Sequence, residues 1–161
     1  MTTNNIRTYY IHGLHALRSA SEQGATAAKL LEGKAQNEEL KSAMTEYGNT
    51  AARHQDEIVA FMRELDVTPN DFKDRVMEGV GKGTDEMLKA AEKANLIDMG
   101  VISGGLTGMQ YYDNAFGGQV PSCQTLGLDD QARRWKAMAG EWQVLEERIA
   151  KIAETVIKAA V

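Results

Sequence analysis

The feature that most constrains this chain is a stripe of apolar positions, four and three residues apart in alternation, sustained through long stretches. From about Asn37 to Asp66 the series is Leu40, Met44, Tyr47, Ala51, His54, Ile58, Phe61 and Leu65. Such spacing keeps one face of a 3.6-residue helix against a neighbour over its whole length. From about Asn5 to Gly33 the stripe is Ile6, Tyr10, Gly13, Leu17, Ala20, Gly24, Ala27 and Leu31. From near Asp129 to the last residue it is Trp135, Met138, Trp142, Leu145, Ile149, Ile152, Val156 and Ala159. Only 2 prolines occur in 161 residues, so little interrupts helix. With a fourth stretch from Asn95 to Val120, the pattern predicts an all-α four-helix bundle forming a single domain over residues 1–161.

The connection between the second and third long helices is the only long one. Thr68-Pro69-Asn70-Asp71 reads as a helix start, with threonine as cap and proline at the first helical position. The run Gly79-Val80-Gly81-Lys82-Gly83 then predicts a break, with Thr84-Asp85-Glu86 opening a second short piece that ends near Lys93. The run is not a phosphate loop, because Val76 and Gly83 stand where that motif requires glycine and a hydroxyl residue. A bundle with one long, helical crossover is the ferritin-like arrangement rather than the simple up-down one.

The third long helix carries the least ordinary position. Its stripe is Met99, Ile102, Leu106, Met109, Phe116 and Val120, and Asp113 fills the seven-residue gap between Met109 and Phe116. A carboxylate in a core-facing stripe needs a partner, a proton or a metal, because burying a lone charge is costly. Pro121 is expected to end or kink this helix and Gly127 to close the turn after it. Gly100, Gly104, Gly105, Gly108, Gly117 and Gly118 give it a small-residue surface. Gly104, Gly108 and Ala115 are expected to admit the helix of a second protomer, making a homodimer.

Charge and cysteine use exclude several classes. A net charge of −5, with acidic and basic residues interspersed, argues against a nucleic-acid partner. No apolar run is long enough for a membrane span, and Met1-Thr-Thr-Asn-Asn is too polar for a secretory signal. Cys123 is the only cysteine, so no disulfide forms within the chain, which fits a cytoplasmic location.

Several stretches resemble the YciE/YciF family of bacterial ferritin-like stress-response proteins. They are Ile11-His12-Gly13-Leu14, Arg75-Val76-Met77-Glu78-Gly79-Val80 with Glu86-Met87-Leu88, and Asn95-Leu96-Ile97-Asp98 leading to Tyr112-Asp113-Asn114-Ala115. The resemblance implies a ferritin-like four-helix bundle with an extra helix pair, often dimeric, and a role in stress response.

A di-metal carboxylate site needs a carboxylate from each of two helices and a Glu-x-x-His pair from each of the others. Here Ser21 stands where the first helix would offer glutamate, with Glu22 about 100° away. Thr50 stands where the second helix would offer a carboxylate, with His54 one turn later. Gln110 and Asp113 occupy the positions where the family tends to have glutamates, and Glu141 precedes Val144 rather than a histidine. No Glu-x-x-His occurs in the chain.

The inward candidates are therefore His54, Asp113 and Glu141. The leading expectation is a non-enzymatic structural or interaction protein with no cofactor, in which His54 contacts Asp113 and Ser21, Thr50 and Glu141 supply further partners. The alternative is an oxidoreductase or metal-storage protein holding iron or another divalent metal on His54, Asp113 and Glu141. A third class is a small-ligand carrier with its pocket among the glycines of the third long helix. His12 and His15, three apart on a helix, could share a face and bind a metal but read more simply as solvated residues, and the pairs Tyr9-Tyr10 and Tyr111-Tyr112 as half-core, half-rim aromatics.

Overall fold

Asn37 opens the helix whose register is easiest to read. Its side-chain oxygen accepts the N–H of Leu40, and Glu38 and Glu39 sit in the first turn, where the helix dipole favours carboxylates. In the helix that follows, Glu38–Glu64, every stripe residue from Leu40 to Phe61 is buried. Leu65, just past its end, is half-buried.

The computed structural model describes residues 5–160; the polar stretch Met1 to Asn4 and Val161 lie outside the described residues. Among these residues there are six helices and no strand: α1 Ile6–Lys34, α2 Glu38–Glu64, α3 Arg75–Ala90, α4 Ala94–Gly117, α5 Gln119–Thr125 and α6 Asp129–Ala160. α1 packs along α2 and α4 along α6, with α1 also meeting α4 and α2 meeting α6. The four long helices enclose one core, which includes Leu14, Met44, Ile58, Tyr112, Trp135 and Trp142. α3 lies on α4 and α1, and α5 on α6 and α1. No described helix is long and apolar enough to cross a membrane.

The crossover departs from its expected form. Residues 67–74 are not helical, so Thr68 and Pro69 do not start a helix. The cap is Asp74, whose Oδ1 accepts the N–H of Met77 at 2.7 Å. The helix then runs unbroken through Gly79, Gly81 and Gly83 to Ala90. The buried Asp74 cap at one end and the docking of Met77 and Leu88 hold α3 where local preference alone predicts a break.

The α4 glycines also serve a different purpose from the expected one. A side chain at Gly104 would meet Thr84 of α3 at 2.2 Å, and one at Gly108 would meet the Tyr47 hydroxyl of α2 at 2.4 Å. Around Gly104, Gly105 and Gly108 the space is therefore taken within the chain, by α2 and α3. At the far end α4 stops at Gly117, and Pro121 lies inside the short α5 rather than ending α4 itself. Gly127 adopts a positive φ of 70° in the turn before α6, as expected of a helix-terminating glycine.

Candidate functional site

The α2 stripe carries His54 inward to the place where α2, α4 and α6 meet. Its ring is fully buried, with Trp142 of α6 edge-on at 5.2 Å between ring centroids and Phe116 of α4 at 5.5 Å. Nε2 lies 3.0 Å from Oε2 of Glu141. A carboxylate only accepts, so Nε2 carries the proton and donates it. That leaves Nδ1 buried as an acceptor without a protein partner. Burial lowers the pKa of His54 to about 4, outweighing the pull of Glu141 toward the charged form. The ring is therefore neutral at pH 7.

Glu141 sits on the rim, its side chain 41% exposed. It also accepts from Arg53, whose Nη1 and Nη2 lie 3.2 and 2.5 Å from its two oxygens. Partial burial pushes its carboxyl up, but the Arg53 guanidinium and His54 together hold it below the usual range. The triad spans from solvent to core: an exposed guanidinium, a rim carboxylate and a sealed imidazole.

Asp113 does not belong to it. The buried face of α4 is broad: it includes Ile102, Met109 and Phe116 of the predicted stripe and also Val101, Gly105, Gly108 and Tyr112, with Asp113 at its edge. Asp113 is half-buried and accepts from Nε2 of Gln143 at 2.9 Å, while Met99 of the predicted stripe is exposed. The expected His54–Asp113 contact is not formed: Tyr112 holds the inward position, and Asp113, at the edge of the buried face, bonds Gln143 instead. Beside Asp113 the Glu146 carboxyl is raised, first by partial burial and then by the Asp113 charge.

Tyr112 takes the central position. Its ring stacks on Trp142 at 4.7 Å and its hydroxyl donates to the Ala20 carbonyl at 2.6 Å. Gly24 permits that approach, since a side chain there would meet the hydroxyl at 2.0 Å. Tyr47 adds a perpendicular ring at 5.4 Å from Trp142. Ser21 is fully buried and its Oγ has no protein partner. Thr50 is buried beside the rim groove that Arg53 lines, Gln110 is exposed, and Glu22 pairs with Arg18 at 3.2 Å on the surface.

Of the sequence candidates, then, the structure brings together only His54 and Glu141. Among the described residues no three of His, Cys, Asp and Glu are grouped so as to hold a metal ion. One imidazole and one arginine-bound carboxylate do not fit the donor set of a di-metal carboxylate centre. His15, expected in solvent, is buried, and burial together with Arg18 and His12 lowers its pKa.

The model of a family described as a domain of unknown function, DUF892, matches residues 5–161. The chain belongs to the DUF892 family. Two solved structures support the YciE/YciF likeness of this family member at the level of fold. The Escherichia coli stress protein YciF superposes with a TM-score of 0.91 at 20% identity, covering 97% of this chain and 99% of its own. YcfI from Rhodopseudomonas palustris, described as a candidate structural protein, superposes with a TM-score of 0.87 at 17% identity, covering 91% and 94%. No curated protein matches the chain.

At three polar sites of this DUF892 chain the sequence did not reveal the hydrogen bonds that are made. Asp98, buried near the start of α4, accepts the N–H groups of Gln36 at 2.6 Å and Asn37 at 3.1 Å, tying α4 to the α1–α2 turn. Asp74 holds the crossover: besides capping α3 it accepts from the Tyr111 hydroxyl at 2.6 Å. Tyr10 donates to Gln131 at 2.7 Å and accepts from the Trp135 indole at 2.8 Å, joining the ends of α1 and α6. The signal for Asp74 was available, since an aspartate stands directly before the run beginning at Arg75. The other two bridge residues far apart in sequence, and no local pattern marks them.

Proposed function

We propose that this DUF892 chain is a non-enzymatic structural or interaction protein of a bacterial stress response. In this reading it is a ferritin-like four-helix bundle whose interior is stabilised by side-chain packing where a di-metal carboxylate protein places its metals. The observation that carries the reading is the environment of His54. Its ring is wedged between Trp142 and Phe116, and its exposed-side nitrogen is committed to the Glu141–Arg53 pair. A second carboxylate from α4 is turned away with Asp113. The likeness to YciF and YcfI supports the fold part of the reading, and the stress and structural roles named for those proteins are consistent with the rest. We further propose a cytoplasmic homodimer that needs no cofactor and binds neither nucleic acid nor membrane. Its interface lies on surfaces other than the α4 glycines.

Elemental analysis of protein purified without chelator, combined with sedimentation, tests this. The expected result is no stoichiometric transition metal and a mass near twice 17.7 kDa. One metal per chain that is lost on replacing His54 would support metal-dependent chemistry instead, and a mass of one chain would remove the dimer.

A further inference from the structure

Between α1 and α3 lies an open groove of about 460 Å³, walled by Gln23, Thr26 and Ala27 on one side and by Met77, Gly81 and Lys82 on the other. Its volume is in the range of small-molecule sites. Ala27, Met77 and Gly81 continue into an apolar crevice of about 30 Å³, which reaches Leu31, Val80 and Tyr47 beneath α3.

On the rim of the groove a cluster of cations shares one carboxylate. Glu78 accepts from Lys73 at 3.0 Å, Arg75 at 2.7 Å and Lys82 at 3.1 Å. Three cations share the Glu78 carboxylate and hold its pKa at about 2, so none of them is neutralised by it alone. Of the acids nearby, Glu22 on the groove wall pairs with Arg18, Asp85 pairs with Lys89, and Asp74 is bonded to the Met77 N–H and the Tyr111 hydroxyl. A cationic rim continuous with an apolar crevice complements a molecule with an anionic head and an alkyl tail.

The helix above the crevice is built to yield. Gly79, Gly81 and Gly83 have nothing within 4 Å of where a side chain would start, so packing does not require glycine at any of them. Only Met77 and Leu88 of α3 are buried. Three unneeded glycines in one short helix lower the cost of bending it away from α1.

We propose that this groove binds a single-chain anionic amphiphile. Its carboxylate is held by Lys73 and Lys82, and its chain runs past Met77, Gly81 and Ala27 into the crevice as α3 gives way. From Glu78 to Thr84 the helix rises about 9 Å, a span suited to a chain of medium length. The inference goes beyond the structural role proposed above and does not depend on it.

Calorimetric titration of the full chain with decanoate, decanol and decyltrimethylammonium, each below its micelle-forming concentration, tests it. Decanoate should bind most tightly and the quaternary cation not measurably. The double variant Lys73→Gln, Lys82→Gln keeps Arg75 on Glu78; it should weaken decanoate about tenfold and leave decanol unchanged. Gly81→Leu, at a position that lines both groove and crevice and where a Cβ meets nothing within 4 Å, should abolish binding of both decanoate and decanol while the protein melts no lower than before. Failure of decanoate to bind the unmodified chain, or equal binding to Gly81→Leu, would overturn the site. Equal affinity for decanoate and the cation would overturn the anionic head.

Discussion

The centre of the bundle and the crossover helix above it obey opposite rules. Around His54, aromatic rings from α2, α4 and α6 close on one another, and Gly24 and Gly108 are glycine because Tyr112 and Tyr47 occupy the space a side chain would take. In α3, Gly79, Gly81 and Gly83 face open space, and nothing in the packing calls for them. The difference teaches that a glycine run in a sequence has two readings that only tertiary contact separates. Where a neighbour approaches closely, the glycine is a packing device. Where nothing approaches, it weakens the helix that contains it.

The largest expected effect tests the packed side of that contrast. Trp142→Ala removes a fully buried ring that touches Tyr47, His54 and Tyr112, and should cost about 3–5 kcal/mol in a urea denaturation experiment. A cost near 1 kcal/mol would mean that the centre relaxes around the gap and is not tightly packed.

Next comes the buried histidine. Its pKa is about 4 in the fold against a reference of 6.5, so between those values the unfolded chain binds a proton that the folded one does not. Stability from this group is therefore unchanged above pH 6.5 and falls as the pH drops toward 4, by up to about 3 kcal/mol. Glu141, whose carboxyl is held below its usual range, adds a loss of the same sign at still lower pH. In His54→Leu the decline between pH 6.5 and 4 should flatten. A decline of equal slope in that variant would place its origin elsewhere.

A smaller effect, of opposite sign, belongs to α3. Replacing Gly79, Gly81 and Gly83 with alanine should raise stability, each by about 0.4–1 kcal/mol, because the backbone is already helical and no neighbour is struck. Thermal melts that fall in the triple variant would show that these glycines are needed by the fold.

The smallest effect is at Asp113. It is half-buried and bonded to Gln143, so Asp113→Ala should change stability by less than about 0.5 kcal/mol in the same denaturation assay. A loss of several kcal/mol would restore it to the core.

These contrasts explain what the sequence made legible. The α2 stripe is read correctly down to His54 because large apolar residues mark nearly every turn of it. In α4 Ile102, Met109 and Phe116 are buried as the stripe predicts, but the buried face widens through Gly104, Gly105 and Gly108, where the volume comes from Thr84, Met44 and Tyr47 of other helices. Glycines give no sign of how wide that face is, so the sequence does not show that Tyr112 lies at its centre and Asp113 at its edge. Glu141 was identified as an inward candidate, but its partner Arg53 lies 88 residues away, and no spacing rule links them. The unbroken α3 was illegible for a similar reason: what stabilises it is the docking of Met77 and Leu88 and the bond from Tyr111 to Asp74.

Hydrogen exchange measured residue by residue bears most directly on the contrast between core and crossover. The amides of α3, and those of Gly79 to Gly83 above all, should exchange much faster than those of α2 around His54, because few buried side chains hold that helix in place. Protection in α3 equal to that of α2 would contradict the account, showing a crossover as firmly held as the core beneath it.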